Sequence, residues 1–105
     1  MDGKMNELTK EIARALVKCK NVGMPGGDSI DLGNTEVLAS YSIVAESRGI
    51  LAEDVVRATA AILDRQYFPR PYDAAEACMP FKAKRDQDAR NAEVELMIER
   101  ENKRR

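Results

Sequence analysis

A chain without histidine has few ways to do chemistry, and the side chains that could attempt it here are scattered. Cys19 and Cys78 are its two thiols. Neither has an imidazole to act as base, and two isolated cysteines fall short of the ligand set of a structural zinc site. They read as small core residues of a reducing compartment, not as a disulfide framework. The glycines of "GMPGG", residues 23 to 27, lack the following Lys-Ser/Thr of a phosphate-binding loop, so a turn is expected there. In "DSIDLGNTE" the carboxylates Asp28, Asp31 and Glu36 suggest calcium. An EF-hand loop starting at Asp28 would need an oxygen ligand where Ile30 stands, so these read as solvated loop carboxylates. No two carboxylates are spaced for acid–base work. The expectation is a protein with no catalytic residue, no metal and no cofactor.

What remains is binding, and the composition limits the partners. Of 105 residues, 44% are apolar and 33% charged, with a net charge of −1. A near-neutral chain has no global basic field for nucleic acid or an anionic membrane, so DNA binding is expected to be weak or absent. No run of 18 apolar residues would span a bilayer, and the first 20 residues are charged and amphipathic, without a signal-peptide core. A cytoplasmic protein is the expectation. One domain at most fits this length.

The elements that must position any site are helical. "MNELTKEIARALVKCK" sets Met5, Leu8, Ile12, Leu16 and Cys19 at spacings of three and four, with Glu7, Lys10, Glu11, Arg14 and Lys18 opposite. That is the pattern of an amphipathic helix. Glycines and Pro25 end it, and a Gly- and Asp-rich connector runs from 21 to 34. Asn34 or Thr35 can cap a second helix, "TEVLASYSIVAESR", with Leu38, Tyr41, Val44 and Ala45 inward and Gly49 as its stop. The third, "AEDVVRATAAILDRQ", has Glu53 and Asp54 at the positive end of its dipole and Val55, Thr59, Ile62 and Leu63 inward, with Val56 beside them. An elbow follows, "YFPRP": Tyr67 and Phe68 to close the core, Pro69 and Pro71 to fix the turn angle. Asp73 can cap a short fourth helix, "AAEACM", which Pro80 ends or kinks.

After Phe81 the character changes. Residues 82 to 105 hold eight Lys or Arg and six Asp or Glu, so this segment is net +2. Its apolar residues past Ala83 are Ala89, Ala92, Val94, Leu96, Met97 and Ile98. The expectation is an all-α protein: a small orthogonal bundle of about four helices over residues 1 to 81. A charged C-terminal helix or partner-ordered tail, 82 to 105, completes it. Val94, Met97 and Ile98 also offer a short stripe for a homodimer, too short for a stable coiled coil alone.

Two functional patterns can be read onto this frame. In "YSIVAESRGILAEDVVRATA", Ala45, Gly49 and Val55 stand where a helix-turn-helix wants a small residue, a turn glycine and a core aliphatic. Arg48 sits where that motif is usually apolar, and the would-be reading helix is net −1 over residues 52 to 65, which opposes phosphate attraction. The other pattern is "AEDVVRATAAILDRQYFPRPYDAAEAC". An acidic start, "DVV", an aliphatic helix, "FP" and a short helix resemble the small helical domain of phage replicative-helicase loaders and helicase-inhibitor proteins, over roughly residues 35 to 79. The Gly-rich connector between the first two helices departs from that family. The resemblance implies no catalysis. It implies a compact domain joined to a C-terminal segment that contacts the replicative helicase, with phage origin-binding initiators as further partners. Carried to this chain, the contact falls on Val94, Leu96, Met97 and Ile98, with Arg100, Lys103, Arg104 and Arg105 meeting acidic helicase surface.

Overall fold

The structure, a computed structural model, describes residues 6 to 104, so Met5 and Arg105 lie outside the described residues. The fold is all-α. Its elements are α1 (Glu7–Asn21), a single 3-10 turn (Gly27–Ser29), α2 (Thr35–Ser47), α3 (Ala52–Leu63) and α4 (Pro71–Arg104).

The helix ends are built from local chemistry. Asn6 accepts from the Thr9 amide at 2.8 Å and Asn34 from the Glu36 amide at 2.9 Å, so each satisfies a donor that its helix leaves unpaired. α1 and α2 close in the same way. Gly23 and Gly49 take positive φ, 76° and 74°. Their amides, and those of Met24 and Ile50 after them, fold back on the last carbonyls of each helix. Met24 and Ile50 are thereby turned into the core, where both are buried.

That core is aliphatic and single. Leu8, Ile12, Leu16 and Cys19 of α1 meet Val55, Ala58 and Ile62 of α3, while Leu38, Tyr41 and Ala45 of α2 meet Ala74, Ala75 and Cys78 of α4. Ser42 is also buried, with its hydroxyl 2.7 Å from that of Thr9. Of the residues expected inward, Val44, Thr59 and Leu63 are half-buried and Val56 is 55% exposed.

The elbow explains the Gly-rich connector. Phe68 is buried, its amide donates to the Pro25 carbonyl at 2.8 Å, and its ring lies against Gly27. A β-carbon on Gly27 would stand 2.8 Å from that ring, so only glycine lets the loop close over it. The Tyr41 hydroxyl donates to the Pro69 carbonyl, and Lys20 Nζ donates to the Ile30 carbonyl at 2.7 Å. Loop, elbow and α2 form one packed corner. Tyr67, expected to share in closing the core, is 67% exposed instead. The neighbouring Phe68 fills that place.

Of the two outcomes expected at Pro80, an end to the helix is corrected: α4 does not stop there but continues to Arg104 with the proline inside it. Nor does Asp73 cap from outside the helix: it lies in the first turn, accepting from the Arg70 amide at 3.2 Å, with Pro71 as the opening residue. Pro80 is exposed, so its ring displaces no core side chain, and the N–H it cannot offer the Glu76 carbonyl is missing on a face that water reaches. The expected short helix and the expected tail are one element.

Candidate partner-binding site

The second half of α4 leaves the body of the protein. The last buried residue is Cys78 and the last half-buried one is Asp86; from Gln87 to Lys103 every side chain is exposed. The radius of gyration is 17.5 Å and the longest extent 64 Å. A compact domain of this length would have a radius near 13 Å. The projecting rod, about 27 Å at 1.5 Å per residue, accounts for the difference.

Arg85 holds the base of the rod. Its guanidinium grips Asp54 of α3, with Nη2 at 3.0 Å and Nε at 3.2 Å from the carboxylate oxygens. Nη2 also donates to the Gly49 carbonyl at 3.1 Å. Asp54 is wholly buried and accepts from the Leu51 amide at 3.0 Å, so one carboxylate caps α3 and anchors α4. The hydrogen bonds to Asp54 chiefly raise the Arg85 pKa, keeping its charge firmly in place. Glu53 adds a longer contact at 3.7 Å. One turn earlier, Lys82 pairs with Asp86, whose pKa that hydrogen bond lowers. At the start of α4, Arg48 lies 5.6 Å from the centre of the Tyr72 ring.

Beyond the anchor, the side chains expected to bind a partner divide between two faces. Val94 (52% exposed), Met97 (63%) and Ile98 (54%) line one shallow groove with Glu101 and Asn102. Leu96, 53% exposed, is not among them. It stands 18 residues, about five full turns, past Cys78, on the line of the face that packs into the core. Ala89 and Ala92 share that line. Val94 lies roughly 160° away from it. Arg100 and Lys103 are exposed near the end of the rod; the side chain of Arg104 lies outside the described residues.

Other surfaces hold less. A second groove, about 790 Å³, runs beside the elbow past Pro25, Ile30, Val37, Tyr67 and Pro71. The core contains a void of about 10 Å³, the size of one water. Both thiols border buried apolar groups: burial raises the Cys19 pKa and pushes Cys78 up to about 11, with the Asp54 charge adding to the latter. Such thiols are poor nucleophiles at neutral pH. Among the described residues no three of the Cys, Asp and Glu side chains gather as a metal site would require, and no helix is long and apolar enough to cross a membrane.

The anchor is what reading the sequence missed. Asp54 and Arg85 are 31 residues apart, and neither has a spacing that announces the other. The one local signal was Asp54 three residues after Leu51, the place from which an acid reaches back to a helix start.

Comparison of the chain with family models, with curated proteins and with solved structures gives no match.

Proposed function

We propose that this protein is a non-catalytic, phage-type DNA-replication accessory protein of the cytoplasm, which docks on a replicative helicase through the projecting half of α4. The observation that carries the reading is a helix fixed at its base by Arg85 and Asp54 whose outer half exposes Val94, Leu96, Met97 and Ile98. Large apolar side chains are seldom left together on a free rod unless something covers them. The helicase as partner comes from the resemblance of "AEDVVRATAAILDRQYFPRPYDAAEAC" to helicase loaders and inhibitors; an origin-binding initiator is the further partner which that family brings. The sequence leads one to expect a tail that orders on contact. A rod already helical needs less ordering, so affinity loses less to entropy than coupled folding would cost.

The test is a pull-down from host lysate with the full chain beside a truncation ending at Asp86, which keeps the anchor. Helicase captured by the full chain and lost with the truncation supports the proposal. Equal capture by both moves the contact to the helical body, and an absence of helicase from both removes the loader reading.

A second reading, a DNA-binding regulator, has the α2–Gly49–α3 turn in its favour: Ala45, Ile50 and Val55 are buried and Gly49 is left-handed. Against it, Arg85 and α4 lie over the start of α3, and Arg57 is near Glu53 at 3.9 Å. If it holds, duplex binding is salt-dependent and falls when Arg57 or Arg65 is changed to Ala.

A further inference from the structure

We propose that the projecting half of α4 is also a self-association surface, on which a second copy of this chain lies antiparallel. The inference does not rest on the helicase reading.

The outer stripe of the rod reads Arg90, Val94, Met97, Glu101, with all four exposed. The steps between them are four, three and four residues, the same from either end. A copy turned end for end, with its Met97 level with Val94, therefore sets each Arg90 beside the other copy's Glu101. The two apolar side chains meet between them, and Ile98 covers one flank. On the other flank Glu93 and Arg100 are brought together in the same way, again acid to base. A parallel pair would instead set Arg90 against Arg90 and Glu101 against Glu101. Charge complementarity selects the antiparallel arrangement, and a twofold axis satisfies every contact twice.

The fit extends to length. The axis of this pairing passes between Glu95 and Leu96, which is also the midpoint of the projecting part of the helix, from 87 to its last residue, 104. Each rod then ends level with the base of the other, and neither helical body is struck. The stripe lies across the helix from the face that carries Cys78 and Arg85, so the anchor need not move. Three apolar side chains per copy cover far less than the roughly 1,200 Å² of a standard interface. Association is accordingly weak, with a dissociation constant of about 10 µM to 1 mM, and a partner seated on the stripe would displace the copy.

Sedimentation equilibrium up to about 2 mM reads it directly, with circular dichroism to confirm that each variant stays helical. Arg90→Glu and Glu101→Arg should each weaken the dimer about tenfold, because each places like charges together twice per dimer. The double exchange should return it to within about threefold of the parent. A chain that remains monomeric at the highest concentration overturns the proposal. So does a double exchange as weak as either single one, since the pairing would then not be Arg90 with Glu101.

Discussion

Phe68 and Gly27 touch so closely that neither can change without moving the other. The ring is 7% exposed and is the only buried phenyl group among the described residues. Phe68→Ala should cost about 3–5 kcal/mol, seen as a lower midpoint in urea. Gly27→Ala should destabilise through the clash, and combining the two should cost less than their sum, because the alanine at 27 then meets a cavity. Arg85 presents the opposite problem, a charge whose removal leaves another behind. Arg85→Ala strands the buried Asp54 carboxylate and should cost about 2–4 kcal/mol, below the fully buried range because the guanidinium is 24% exposed. Arg85→Lys should recover part of that loss but not the paired hydrogen bonds. Alkali tests the same interior. Burial pushes Tyr41 up to about 12 and Cys78 up to about 11, from ordinary values of 10.0 and 9.0. Both groups are neutral when protonated, so the unfolded chain releases these protons first. The stability they allow is intact below pH 9 and falls through pH 9 to 12, by about 1.4 kcal/mol per unit for each group once its unfolded form has ionised. A midpoint in urea that stays level from pH 8.5 to 11 would contradict this.

Pro80 is where local rule and tertiary structure part company. A proline in a helix interior costs about 3 kcal/mol through the lost hydrogen bond and its clash with the preceding turn. α4 tolerates it because the ring faces solvent, while Cys78 on one side and Arg85 on the other hold the helix to the body. Pro80→Ala should therefore stabilise the protein by about 1–2 kcal/mol, the restored bond being partly offset by a freer unfolded chain. A lower melting temperature would mean that the proline shapes the path of α4. The first three helices were legible because their signals are local: apolar spacing, Asn34 before α2, Gly49 after it, acids at the start of α3. α4 was legible only as two pieces, because Pro80 is a local stop signal, whereas the contact that holds the helix beyond it, Arg85 with Asp54, joins two different helices. The same gap explains Leu96. Grouped by apolarity with the proposed contact residues, it stands beside Val94 and Met97; placed on the helix bearing Cys78, it lies on the line of the core face, across from Val94.

In the whole molecule, the division that matters for stability lies at Asp86 and not at the change of composition near Phe81. A composition boundary reflects where the charges begin, whereas the folded unit ends where side chains stop touching it. Between the two positions lie Lys82 and Arg85, and through Arg85 the start of α3 and the Gly49 turn depend on α4. Two truncations should consequently behave in different ways. A chain ending at Asp86 loses only exposed residues and should melt within a few degrees of the full protein. A chain ending at Phe81 is just five residues shorter, yet it leaves Asp54 buried without its cation. It should lose about 2–4 kcal/mol, or about 8–25 °C in melting temperature for a domain this small. Equal melting of the two truncations would show that Arg85 is not an anchor, and the rod would then be hinged at its base.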